Sequence, residues 1–251
     1  MSQWLFDLGN TRLKWTQLQS DGSLAAIHAL PHDMEEFADT LQGLLPANAE
    51  VACLASVASQ ALTSTVIEIL TQHFQTISIA RSVTQFAGVR IAYADPSRLG
   101  VDRFLALLAA RARGEGPWVI AGVGTALTID LLDGDGLHRG GRIGPSPQIM
   151  REALHRAAPH LPAHGGEYTE FAADTGDALA SGCEGAALGL IERSLTQAEL
   201  VLGKQPSLLL HGGGAAALAM HLPQAIQMPA PVLEGLALWS RAGAAHRIPA
   251  C

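Results

Sequence analysis

Leu5-Phe6-Asp7-Leu8-Gly9-Asn10-Thr11-Arg12-Leu13-Lys14-Trp15 reads as a strand, a tight turn and a returning strand. Trp4, Leu5 and Phe6 suit a pleated, buried surface, and Leu13, Trp15 and Leu18 resume that pattern after the turn. Gly9-Asn10 supplies the turn, because both residue types tolerate positive φ. Polar groups crowd around it. Asp7 stands before the turn, Thr11 at its tip, and Arg12 and Lys14 behind it. Backbone amides at such a turn can approach a phosphate, Thr11 can donate a hydrogen bond, Lys14 can neutralise charge and Asp7 can hold a metal. The bland alternative is an ordinary polar hairpin.

The same pattern recurs. Val119-Ile120-Ala121-Gly122-Val123-Gly124-Thr125-Ala126-Leu127-Thr128-Ile129-Asp130 is again an apolar strand, a Gly-Thr turn and an apolar strand. A third strand is expected after each turn, around Ser23 to His28 and around Leu137 to Ile143, followed by helical segments. Two copies of one supersecondary unit point to a duplicated fold with a cleft between the halves.

Composition sets the outer bounds. The chain has 251 residues, enough to bury a sizeable core. Its 48% hydrophobic and 16% charged residues fit a packed globule rather than a disordered chain. The net charge of −7 argues against broad binding to nucleic acid or anionic membranes, so an anionic substrate must meet local basic residues. Cys53, Cys183 and Cys251 are too few and too scattered for a zinc site or a disulfide framework, and are expected to be free thiols. The ten histidines show no metal-ligand spacing. No signal segment and no bilayer-length apolar run is evident, so a cytoplasmic protein is expected.

In chain order, a helix is expected from a cap at His32-Asp33 to about Leu45, with Met34, Phe37, Leu41 and Leu44 at helical spacing. Val51 to Val57 reads as a buried strand, Gln60 to Gln72 as a helix and Thr76 to Ala80 as a strand. The first half therefore runs β-β-β-α-β-α-β, a mixed sheet with helices on its faces. In the second half, Pro147 to Ala158 and Gly176 to Leu202 read as helices, Pro206 to His211 as a strand and Pro231 to Ala245 as a closing helix. Gly114 and Gly116 with Pro117 mark the best boundary, giving domains 1–115 and 116–251.

Four more places can carry chemistry. Tyr93 and the run to Asp102-Arg103 precede an Ala/Leu-rich helix. Asp102 either caps that helix or accepts the proton of an attacking hydroxyl, with Arg103 binding an anionic acceptor. Gly140 to Pro147 permits either close ligand approach or a tight strand exit. Asp174-Thr175-Gly176-Asp177 is a strong helix start. His211-Gly212-Gly213-Gly214 ends a strand with three glycines, which suits a nucleotide lying flat on the backbone or a crowded turn.

Taken together these residues resemble the type III pantothenate kinases, a group that includes proteins called Bvg accessory factors. The resemblance spans essentially the whole chain. Asp7, Leu8, Gly9, Asn10, Thr11, Arg12, Leu13 and Lys14 look like the family's first ATP-phosphate motif, and Gly124-Thr125 like the second. Tyr93 with Gly100, Val101, Asp102 and Arg103 looks like its pantothenate-contacting set, with Asp102 as proton acceptor. Thr175 falls at a substrate-contacting Thr, and Gly212-Gly213-Gly214 at the adenosine region.

The resemblance implies a fold, a reaction and its helpers. The fold is the duplicated actin-like ATPase (ribonuclease H-like) α/β fold, two mixed-sheet domains with a central cleft. The reaction is ATP-dependent phosphorylation of pantothenate, the first step towards coenzyme A. A homodimer, Mg²⁺ on Asp7 and a monovalent cation, K⁺ or NH₄⁺, come with it. One position departs from the pattern: the family usually has Asp two residues before the second Gly-Thr, where this chain has Gly122. That cation site is expected to be weakened, rebuilt from carbonyls or absent. The alternative function is a catalytically weak accessory protein.

Overall fold

β1 (Gln3–Leu8) and β2 (Arg12–Leu18) form the first hairpin, paired antiparallel with Asp7 opposite Lys14 and Leu8 opposite Leu13. The computed structural model describes residues 2–242 and 248–249. β3 (His28–Pro31) pairs with β2, and β4 (Ala49–Ser56) and β5 (Phe74–Ile79) extend the sheet parallel to β1 on its other side. α1 (Phe37–Leu44) and α2 (Gln60–His73) are the connections, so the order β-β-β-α-β-α-β stands as read.

The second hairpin opens a sheet of the same plan. β8 (Trp118–Val123) pairs antiparallel with β9 (Ala126–Leu132), and β9 with β10 (His138–Pro145). β11 (Ser207–His211) and β12 (Ile226–Gln227) continue parallel to β8. The spatial orders are β3-β2-β1-β4-β5 and β10-β9-β8-β11-β12, third-second-first-fourth-fifth in each. β13 (Ile248–Pro249) adds a strand at the β5 edge. The connections in the second sheet are α4 (Pro147–Ala157), α5 (Thr175–Leu202) and α6 (Ala215–Ala219).

A two-strand ribbon, β6 (Gln85–Phe86) and β7 (Val89–Arg90), and a 3₁₀ turn at Pro96–Arg98 lead into α3 (Val101–Ala112). The last helix, α7 (Pro231–Ala242), packs on α3 and β1. A Cβ on Gly235 would stand 2.0 Å from the Leu105 carbonyl oxygen, so the two helices meet at a contact only glycine allows.

The chain divides into two compact units, Met1–Arg113 with Pro231–Cys251, and Gly114–Ala230. α7 therefore belongs with the first unit and not with the C-terminal half, as the single boundary at 115/116 has it. Each unit has its own core. Phe6, Leu8, Leu13, Trp15, Leu54 and Leu70 build the first, and Val119, Val123, Ile129, Ile191, Leu208 and Leu210 the second. β8 is buried along its whole length and β4 along most of its own, as central strands are where both faces of a sheet are covered.

Three local expectations are corrected. The third strand of the first unit is His28–Pro31, not Ser23 to His28; Ser23 to Ile27 contributes one bridge, Leu18 to Leu24, after the Asp21-Gly22 turn. Leu30, opposite Leu13, is the residue that finds a core to enter. α1 starts at Phe37, and its N-cap is Glu36, which makes no side-chain cap, rather than His32-Asp33; Met34 and Leu44 stay exposed while Phe37 and Leu41 are buried. Neither Gly9 nor Asn10 has positive φ, so the first turn closes by a hydrogen bond from Gly9 N–H to the Arg12 carbonyl (3.1 Å). The end of the expected closing helix, residues 243–245, and Cys251 lie outside the described residues. Cys53 and Cys183 are buried thiols, neither in a disulfide.

Candidate active site

In the first unit the sheet delivers Asp7 and Lys14 side by side at the mouth of the β1–β2 turn. Asp7 is half-buried, and burial pushes its carboxyl pKa up to about 6; Lys14 pulls it down and Asp102 pushes it further up. The mutual influence of Asp7 and Asp102 joins the hairpin to the start of α3 in one electrostatic neighbourhood. Leu8 and Leu13 are fully buried core residues, so only their backbones serve the turn. Asn10, Thr11 and Arg12 are exposed at its tip.

Sequence context assigns His32 to a helix cap. It instead braces this turn: its backbone N–H donates to the Thr11 carbonyl (3.3 Å) and its ring Nε2–H to the Gly9 carbonyl (3.1 Å). A histidine following a strand carries no sequence signal of such a prop, which forms only once β3 pairs with β2.

The acceptor-side residues gather at the N-terminus of α3. Gly100 is the N-cap and makes no side-chain cap, and Asp102 is the second helical residue, accepting from the Arg103 backbone N–H (2.8 Å). The helix dipole favours a carboxylate there. Gly100 has an ordinary negative φ, yet a Cβ on it would lie 2.6 Å from Asp102 Oδ1. Glycine at 100 thus keeps space for the Asp102 carboxylate. Val101 is buried, and Ser82 Oγ donates to the Leu99 carbonyl (2.7 Å), which fixes the approach to the helix.

Arg103 is only 7% exposed. Its Nη1 donates to Tyr93 Oη (3.4 Å), and its guanidinium carbon lies 6.0 Å from the Tyr93 ring centroid. A buried guanidinium held against an aromatic ring is a preset anion receptor. Asp95, in the same stretch, is a cap for the 3₁₀ turn, accepting from Ser97 N–H (3.0 Å) and Ser97 Oγ (2.7 Å).

The second unit carries the other named residues. Gly124 and Thr125 are exposed at the β8–β9 turn, closed by Gly124 N–H donating to the Ala126 carbonyl (3.0 Å). Thr175 is exposed at the first position of α5, whose cap is Asp174, accepting from Gly176 N–H (2.8 Å) and Asp177 N–H (3.1 Å). Gly140 to Pro147 is strand and helix start: Arg142 donates to Ser194 Oγ (2.7 Å), and Ser146 caps α4. The triple-glycine loop is crowded in part. A Cβ on Gly212 (φ +100) would lie 2.3 Å from the Val123 carbonyl oxygen, and one on Gly214 2.7 Å from Val123 Cγ1. Gly213 has open space around it.

Gly122 is not an open position. His211 Nε2 and Thr128 Oγ1 each lie 2.8 Å from where its Cβ would stand. A side chain there would require the His211 imidazole and the Thr128 hydroxyl to move aside. Asp7 has a different fit: one carboxylate beside exposed turn amides suits Mg²⁺, which takes one or two carboxylates and completes its shell with phosphate oxygens and water. Among the described residues no cluster of three or more acidic, His or Cys side chains forms a dedicated metal cage.

Two solved structures share the fold. One, at TM-score 0.66 and 19% identity over 96% of this chain and 98% of its own, is a conserved Baf family protein from Campylobacter jejuni. Another, at TM-score 0.50 and 13% identity over 97% of this chain and all of its own, is a ROK family glucokinase from Streptomyces griseus in complex with glucose and AMPPNP. The fold is thus that of the actin-like ATPases and sugar kinases. Type III pantothenate kinases of Stenotrophomonas maltophilia and Xanthomonas euvesicatoria are 55% and 54% identical, over 96% and 97% of this chain and 98% and 99% of their own lengths. A model of the type III pantothenate kinase family matches residues 4–197. With that span matched, and with relatives at this identity over nearly their full lengths, the chain belongs to the type III pantothenate kinase family.

Proposed function

We propose that the N-terminus of α3 holds the acceptor site of this chain, which phosphorylates pantothenate with ATP, the first step towards coenzyme A. The observation that supports the assignment is the Asp102 carboxylate kept clear by Gly100, next to the buried Arg103 and its half-buried partner Tyr93. Arg103 offsets the negative charge of the acceptor, and Tyr93 orients it. The acceptor hydroxyl oxygen bonds to the γ-phosphorus while the bond from that phosphorus to the β,γ-bridging oxygen breaks. ADP leaves with that electron pair, and the hydroxyl proton goes to the Asp102 carboxylate. Phosphoryl transfer asks chiefly for positioning and charge neutralisation.

On the donor side, Lys14 and the amides of Asn10 and Thr11 at the turn tip meet the phosphates, with Thr125 as a second phosphate contact and Thr175 as a contact to the acceptor. Asp7 would hold Mg²⁺, which when bound neutralises phosphate charge. A homodimer and a cytoplasmic setting belong to the same reading through the family resemblance. No helix of the described residues is long and apolar enough to cross a membrane. The accessory-protein alternative has no comparison behind it, because the Baf family likeness at 19% identity bears on fold alone.

The test is ADP release by the purified protein with and without pantothenate. ADP release that depends on pantothenate is expected. Equal release in both arms, or none in either, removes the assignment.

A further inference from the structure

The two sheets share one plan, so their positions can be matched strand by strand. Asp7 precedes Gly9 by two residues, as Gly122 precedes Gly124. Across the hairpins, Asp7 faces Lys14 and Gly122 faces Thr128; on the parallel side, Asp7 lies beside Ala55 and Gly122 beside His211. The first unit thus has a carboxylate with a small neighbour. The second has no side chain at the matching point, and an imidazole on the neighbouring strand.

That imidazole fills the gap. His211 Nε2 and Cε1 stand 2.8 and 2.9 Å from the place of a Gly122 Cβ, with Thr128 Oγ1 2.8 Å from it on the opposite strand. The crowding also explains the glycine, since Gly122 has an ordinary φ and nothing in its backbone requires one. His211 is half-buried, at the end of β11 where the chain turns into Gly212-Gly213-Gly214. Gly214 N–H donates to the Val123 carbonyl (3.0 Å), which holds this loop over the strand that feeds the Gly124-Thr125 turn.

We infer that His211 takes the place of a carboxylate-held monovalent cation at the second phosphate turn, so nucleotide binding by this chain does not depend on K⁺ or NH₄⁺. The inference rests on the proposed donor-phosphate role of that turn. Around the Gly122 position stand one hydroxyl oxygen, Thr128 Oγ1, and an imidazole, which falls short of the several oxygen ligands a bound cation needs, whereas an imidazole N–H serves as a hydrogen-bond donor. His211 is then a positioning residue for the donor phosphates, acting from the polypeptide where a carboxylate and an ion would otherwise act together.

The test is the affinity of the Mg²⁺ complex of AMPPNP, measured by calorimetry in KCl, NH₄Cl, NaCl and choline chloride at equal ionic strength. Affinities within about twofold of one another are expected. A tenfold gain in K⁺ or NH₄⁺ over choline overturns the inference. His211→Ala is expected to weaken binding about 10- to 100-fold in every salt, as loss of a hydrogen bond to a charged group does. His211→Gln, which keeps a donor, should recover most of it. Unchanged affinity in a His211→Ala protein with an intact melting transition overturns the role of the imidazole.

The double variant Gly122→Asp/His211→Gly copies the arrangement of the first unit and should acquire a preference of tenfold or more for K⁺ or NH₄⁺. Continued indifference would mean that the imidazole is not what excludes the ion. Turnover of pantothenate is scored separately: its absence removes the proposed function, while the salt series, which needs only nucleotide binding, still decides this inference.

Discussion

The β1–β2 and β8–β9 hairpins have one topology and opposite chemistry. The first sets Asp7 against Lys14 at the mouth of its turn and has Asp102 as an electrostatic neighbour. The second sets Gly122 against Thr128, with an imidazole filling the space between strands. Duplication therefore preserved what backbone pairing and core packing require: Leu8 and Leu13 match Val123 and Leu127, all buried. The groups at the turn mouths diverged, because nothing in the sheet depends on them. At the turn mouths the carboxylates and the ammonium are concentrated in the first unit, and the second offers an imidazole, a hydroxyl and crowded glycines.

The largest expected effect tests whether that concentration carries the reaction. Asp102→Asn removes the proton acceptor while keeping its shape. Turnover should fall about 10²- to 10⁴-fold, with ATP affinity nearly unchanged. Equal losses in kcat and in nucleotide binding would mark Asp102 as structural and break the contrast between the hairpins.

Gly100→Ala sharpens the same point without touching an ionisable group. The added Cβ would lie 2.6 Å from Asp102 Oδ1, so the carboxylate has to swing away and lose its bond from the Arg103 N–H. A misplacement of that order should lower kcat about 10- to 100-fold, with little change in melting temperature, since Gly100 has an ordinary φ. A large drop in melting temperature with normal kcat would show that Gly100 serves the helix and not the site.

Most of the sheet plan was legible in the sequence because strand alternation and Gly turns are local signals. The order of the first seven elements came from apolar runs at Leu5, Val51 and Thr76 and from helical spacing after Gln60. What was not legible depends on partners distant in sequence. α7 reads as the end of the second half, yet it packs on α3 through Gly235. Gly9 suggests positive φ by residue type, but the turn closes on the Arg12 carbonyl without it. His32 reads as part of a helix cap, and His211 as the end of a strand before three glycines. Their roles follow from pairing, β3 with β2 and β11 with β8, that no single stretch encodes. Asp102 and Arg103 were legible as a pair, whereas the reason for Gly100 beside them needed coordinates.

The smallest effect falls on the carboxylate that the second unit lacks. Burial holds the Asp7 pKa near 6 in the folded chain, against 3.8 for an ordinary Asp. The folded state therefore binds the proton more tightly than the unfolded state. Below pH 4 both states are protonated and Asp7 has no net influence on stability. Between pH 4 and 6 the unfolded state loses its proton first, so stability falls as pH rises, and above 6 the full cost remains. That difference sets an upper limit of about 3 kcal/mol; partial exposure reduces it to about 1–2 kcal/mol. Asp7→Asn, free of nucleotide and metal, should then melt a few degrees higher than the parent at pH 7.5 and equally at pH 4, while losing kinase activity. A variant that melts lower at pH 7.5 would mean that attraction to Lys14 outweighs burial, and that the charged hairpin stabilises the fold instead of straining it for function.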